Sequence, residues 1–173
     1  MTRVFVSYAH ERGIDGHRDR VLTLAQSLRL RGIEALIDQY VEHDPPLWPR
    51  WMLDEIRSAD FVLCVASPAY KERVENHGDR SVGRGARWEG AVVTEELYSE
   101  APAARKKFIA VVLEKCTPDD IPDVLFPVGQ SYYVWPQDDE ELYRRLTRQP
   151  RVVPAAIGNI VHLPIQPIPD SPG

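Results

Sequence analysis

The chain has 173 residues, enough for one domain with a full core and too few for two ordinary ones. Its 43% hydrophobic and 27% charged residues place it with soluble globular domains, and no apolar run approaches the roughly 20 residues of a membrane span. A net charge of -5 provides no general attraction for nucleic acid, so neither nucleic acid nor membrane is expected as a partner.

The chain starts Met1-Thr2-Arg3 and passes at once into Val4-Phe5-Val6-Ser7, an apolar run that reads as a strand buried on both faces. It lacks the apolar region and cleavage site of a signal peptide, which makes the cytoplasm the expected location. After the polar stretch from Tyr8 to Asp19, the apolar residues Val21, Leu24, Ala25 and Leu28 fall at i, i+3, i+4 and i+7 and predict a helix. Gly32 is placed to end it in the left-handed conformation. Ile33 to Asp38 reads as a second strand, and Asp44-Pro45-Pro46 marks the following loop.

Trp48, Met52, Ile56 and Ala59 outline the apolar face of a second helix, with Pro49 tolerated in its first turn. Asp60 to Pro68 contains the clearest strand, apolar on both faces and expected at the centre of the sheet. The stretch from Tyr70 to Arg87 is charged and glycine-rich, and reads as a loop with at most one helical turn at its start. A third helix over 88–100, a fourth strand over 108–113, a fifth over 131–135 and a last helix over 139–148 complete the pattern. Strands alternating with helices imply right-handed crossovers and a parallel sheet covered on both faces. The expected fold is α/β, a flavodoxin-like doubly wound five-stranded sheet of order 2-1-3-4-5, whose ligand-binding switch point falls between the first and third strands.

Residues 1–150 account for this domain, and 151–173, rich in proline, read as a tail or linker from a chain once joined to something larger. Cys64 and Cys116 lie in or beside apolar runs and suit reduced core thiols. His10, His17 and His43 show no recognised metal-ligand spacing and read as surface residues, so no metal is expected. Gly83-x-Gly85 is not a dinucleotide fingerprint, because that motif belongs between the first strand and its helix.

Four ordered stretches, Val4-Phe5-Val6-Ser7-Tyr8-Ala9-His10, Gly32 to Asp38, Trp48-Pro49-Arg50-Trp51-Met52 and Ala66-Ser67-Pro68-Ala69-Tyr70, resemble the SEFIR domain of the TIR superfamily. The Gly-x-Gly-x-x-Trp-Glu-Gly stretch ending at Gly90 fits the bacterial form of that pattern. The resemblance implies the flavodoxin-like fold and two kinds of function. TIR relatives include enzymes that cleave NAD+ between nicotinamide and ribose, in bacterial immune or stress signalling. Animal SEFIR domains instead act as adaptors that associate like with like. On this reading the partners are NAD+, as substrate rather than cofactor, and other SEFIR or TIR domains including further copies of this chain.

Cleaving nicotinamide from NAD+ needs little acid catalysis, since the cationic pyridinium departs neutral. The oxocarbenium-like ribose does need a carboxylate beside it. Glu89 is the best-placed candidate for that catalytic carboxylate, opening the third helix where the dipole favours its ionised form. The chain departs here from the common TIR pattern, whose glutamate follows a tryptophan by four positions: four beyond Trp88 stands Val92. Glu95 and Glu96 lie about two turns farther along, too deep for the role. An ordinary first-turn glutamate is the alternative for Glu89.

Ser7, Tyr8 and Ser67 end strands that border the switch point. By resemblance Ser67 lines the ribose pocket, Tyr8 flanks the base, and Tyr70 completes the substrate pocket. The alternatives are turn chemistry for the serines and a half-buried aromatic for Tyr8. Asp38 reads as a loop-ordering residue, Trp48 as packing and Trp51 as the more exposed aromatic, available to an interface. A module that senses a nucleotide without cleaving it is a third class of function.

Overall fold

The apolar runs form one five-stranded, all-parallel sheet in the computed structural model, which describes residues 1–75, 96, 106–125 and 131–166. The strands are β1 (Arg3–Ser7), β2 (Glu34–Leu36), β3 (Phe61–Val65), β4 (Phe108–Val112) and β5 (Tyr133–Val134). Their order is β2-β1-β3-β4-β5, as the alternation of elements implies. Val4 pairs with Ala35 on one side and Phe61 on the other, so β1 is an interior strand and β3 is the centre of the sheet. The described helices are α1 (His17–Leu30), α2 (Trp48–Ser58), α3 (Pro68–Glu75) and α4 (Asp139–Thr147).

The two-residue period of the strands divides the core into two halves. Val4, Val6, Leu63, Val65, Ile109 and Val111 project to one face, where they meet Val21, Leu24 and Leu28 of α1 and Leu142 and Leu146 of α4. Phe5, Cys64, Ala66, Phe108, Ala110 and Val112 project to the other, against Ile56 of α2 and Tyr70 and Val74 of α3. A sheet buried on both faces has to be built from such continuous apolar runs. Gly32 closes α1 at φ 86, in the left-handed region where a side chain is disfavoured, and its N–H bonds the Arg29 carbonyl at 3.0 Å.

Several boundaries differ from the sequence pattern. Strand β2 is three residues long because Asp38–Tyr40 turns into a 3-10 helix at its end. Strand β5 is reduced to two residues. Pro68–Glu75 is a two-turn helix, longer than the single turn expected at the start of the loop, and is started by Ser67, whose Oγ accepts the Tyr70 N–H at 3.1 Å. Residues 151–166 carry no regular structure and are exposed throughout. The expected third helix, with Trp88, Glu89 and Val92, lies outside the described residues. No helix among the described residues is long and apolar enough to cross a membrane.

Candidate functional site

A cleft of about 250 Å³ opens at the carboxyl end of β1, on the face covered by α2 and α3. Its floor is the end of β1, Phe5 to Tyr8, and one wall is α2, with Trp48, Trp51 and Met52. Helix α3 supplies Tyr70, Arg73 and Val74, and the loops after β1 and β2 bring His10, Asp38 and Glu42 to the mouth. This is the switch-point region of a doubly wound sheet: α1 leaves β1 toward one face while α2 and α3 cover the other, so the strand end between them is left open.

Three of the residues expected at a substrate pocket meet here. Ser7 is buried and accepts a hydrogen bond from the Tyr70 hydroxyl at 3.0 Å. That bond ties α3 to β1. The Tyr8 hydroxyl accepts from Gln39 Nε2 at 3.0 Å and is itself hydrogen-bonded to Asp38. Burial, reinforced by the Asp38 carboxylate, raises the Tyr8 pKa well above its ordinary value, so its hydroxyl stays protonated as a hydrogen-bonding group. Ser67, by contrast, is fully buried; its Oγ caps α3 and it does not line the cleft. Glu89 lies outside the described residues.

The tryptophans differ from expectation. Trp48 and Trp51 both line the cleft, their ring centroids 5.6 Å apart and their planes at 84°. Trp51 also packs edge-on against Phe5 at 5.6 Å, so it is half-buried rather than a free exposed aromatic. The stripe Trp48, Met52, Ile56 is thus one edge of a broader apolar face that includes Trp51, one helical step to the side.

The polar mouth centres on Asp38. Its Oδ1 accepts the Gln39 N–H at 2.8 Å, as a loop-ordering aspartate does, but its Oδ2 also lies 3.0 Å from His10 Nε2. Burial opposes its charge, yet the hydrogen bonds from His10 and Tyr8 prevail and hold its pKa below the usual carboxylate value. The bond to Asp38 correspondingly raises the pKa of His10, whose ring stacks on Tyr8 at 5.6 Å. Glu42 pairs with Arg18 of α1. His10, Asp38 and Glu42 each offer a ligand atom, all within 4.8 Å of one another. Periodicity could not show this cluster, since His10 and Asp38 stand 28 residues apart and meet only because β1 and β2 are neighbours.

His17 is a second correction. It is 1% exposed, covered at the start of α1, with Nδ1 3.8 Å from Cys116 Sγ. Burial and the Arg20 charge lower its pKa. Both cysteines are free; burial pushes the Cys64 thiol up to about 12 and the Cys116 thiol up to about 11, so neither is poised as a nucleophile.

Comparison with known proteins follows the fold. A model of the SEFIR domain matches residues 2–146. Among solved structures, the crystal structure of a prokaryotic SEFIR domain superposes with a TM-score of 0.60 at 26% identity, covering 91% of this chain and 100% of that one. The SEFIR domain of interleukin-17 receptor B superposes at 0.56 and 12% identity, covering 85% and 95%, a likeness of fold alone. No curated protein matches the sequence.

Proposed function

The chain belongs to the SEFIR family, within the TIR superfamily, and from that premise we propose that its switch-point cleft binds NAD+ and that the domain, assembled with like domains, cleaves the nicotinamide–ribose bond. The observation that carries this reading is the cleft itself. Ser7, Tyr8 and Tyr70 converge there with two tryptophans at right angles, so flat aromatic walls stand beside fixed hydroxyls at the end of a central strand. A dinucleotide needs both: apolar surface for its rings and hydrogen-bonding groups for its sugars. In this mechanism Glu89 stabilises the positive charge that develops on ribose as neutral nicotinamide leaves, and water completes the hydrolysis.

The test is nicotinamide release by purified protein, concentrated or crowded to promote association, followed by chromatography. Release that falls by about a hundredfold or more in Glu89→Ala supports the assignment. Release that survives the substitution removes Glu89 from the mechanism.

A second reading, an adaptor that acts only through like-with-like association, draws on the association typical of SEFIR domains and on Leu47. That residue is 80% exposed just before α2, an apolar side chain next to Trp48 that a neighbouring domain would cover. Under this reading nicotinamide is not released in any assembling condition, and Leu47→Asp abolishes self-association measured by light scattering.

A further inference from the structure

We propose that His10, Asp38 and Glu42 form a binding site for one divalent transition-metal ion, with Zn²⁺ the best match, at the mouth of the cleft. The donors come from two loops that adjacent strands hold side by side: His10 follows β1, and Asp38 and Glu42 follow β2. Their ligand atoms lie within 4.8 Å of one another, and all three residues line the cleft.

The distances suit coordination. Two ligands about 2.1 Å from a common ion stand about 3.0 Å apart at a right angle and about 3.4 Å apart at a tetrahedral angle. His10 Nε2 and Asp38 Oδ2 are 3.0 Å apart, so this pair accepts an ion with little movement. Glu42 completes the set within 4.8 Å, and its side chain, 38% exposed, turns toward the ion once its pairing with Arg18 is released. One imidazole and two carboxylates favour Zn²⁺ over Mg²⁺ or Ca²⁺, which take all-oxygen shells. The set carries two negative charges with neutral histidine, matching a divalent cation.

Two ligands are already aimed. The Gln39 N–H holds Asp38 Oδ1, which fixes the carboxylate plane, and Tyr8 supports His10 by stacking and Asp38 by hydrogen bonding. Outer partners of this kind commonly set metal affinity. With three protein ligands, coordination positions remain for water or for an oxygen donor of a bound molecule.

Arg18 is the competitor. Its guanidinium pairs with Glu42, so an ion at this site has to replace that cation. Removing this positively charged neighbour is therefore expected to strengthen binding.

The experiment is titration of chelator-treated full-length protein with Zn²⁺ against a chromophoric chelator, with Co²⁺ absorption reporting the ligand field and circular dichroism confirming the fold of each variant. The expected result is one ion per chain, weakened about tenfold or more by His10→Ala and by Glu42→Gln, and tightened several-fold by Arg18→Ala. Stoichiometry and affinity unchanged in the first two variants, or binding that is lost in Cys116→Ser instead, overturns the proposal. So does Arg18→Ala that binds no more tightly than the parent. No nucleotide is present in this titration, so its outcome is independent of NAD+ cleavage.

Discussion

The two faces of the sheet are built by different rules. The face under α1 and α4 is aliphatic: Leu24, Leu28, Leu63, Leu142 and Leu146 are all fully buried, and branched strand residues fill the space between them. On the face under α2 and α3 the central strands contribute Cys64, Ala66 and Ala110, and the larger groups packed around these, Trp51, Met52 and Leu36, are only partly covered. At the strand end the cleft is lined by Phe5, Ser7 and Tyr8 together with the half-buried rings of Trp48 and Trp51, so flat rings form its walls without filling it. One face therefore holds the fold together, and the other leaves its strand end accessible. The same alternation along β1 serves both, since Val4 and Val6 point to the closed face while Phe5 and Ser7 point to the open one.

The sharpest test of this contrast is a truncation on each face. Leu24→Ala on the closed face leaves a cavity that no neighbour or solvent can fill, and is expected to cost about 3 kcal/mol in chemical denaturation. Trp51→Ala removes a larger side chain from the open face, but water enters the space it vacates, and its edge contacts with Phe5 and Trp48 and part of its buried area are lost. Its expected cost is smaller, about 1 to 2 kcal/mol. Equal losses at the two positions, or a larger loss at Trp51, would mean that the cleft wall is as much a part of the folding core as α1.

The closed face was the legible one. Strands buried on both sides must be apolar runs, and α1 shows its face at i, i+3, i+4 and i+7, so the sheet order followed from alternation and handedness alone. At the open end, Ser7 and Tyr8 could be placed because strand ends at a switch point are defined by topology, whereas Tyr70 came only from the family resemblance, and Ser67, placed by the same topological rule, caps α3 instead of lining the cleft. Trp51 could not be oriented, because the spacing of Trp48, Met52 and Ile56 accounts for one edge of the helix face and says nothing of a cleft beside it. Asp38 was read for its local turn, and that turn exists, but its contacts with His10 and Tyr8 depend on strand neighbours far away in sequence. His17 was misplaced for a related reason. Gly16, at φ 72, starts α1 one residue before it and turns a histidine that looks like loop onto the covered side of the first turn.

A smaller effect tests how α3 is held to the open face. The Tyr70 hydroxyl joins α3 to Ser7 of β1 at 3.0 Å. Tyr70→Phe keeps the ring in place and leaves Ser7 Oγ without this donor, for an expected loss of about 1 kcal/mol. If the loss is absent, α3 is held by its apolar contacts and by the Glu11 carboxylate, which accepts the Ala69 N–H at 2.9 Å.

The finest test concerns the polar group at the edge of the closed region. His17 is buried beside Tyr8 and Cys116, with Arg20 and Glu11 the charged groups acting on it, and its Nε2 has no hydrogen-bond partner among the described residues. Burial, then Arg20, lowers its pKa in the folded state below the ordinary 6.5, outweighing the opposing Glu11 charge. The unfolded chain therefore binds a proton at a higher pH than the folded one does. The stability linked to His17 is complete above the unfolded pKa and is lost as pH falls through 6.5 toward the lower folded value. Replacing His17 with leucine removes a group that must be charged on unfolding in acid, so the difference in stability between variant and parent is expected to grow in favour of the variant as pH drops from 7.5 to about 5. Thermal denaturation of both proteins across that range measures the difference directly. Parallel curves would show that the histidine is protonated equally in the two states, and that the start of α1 is open to water in the same way as the cleft on the opposite face.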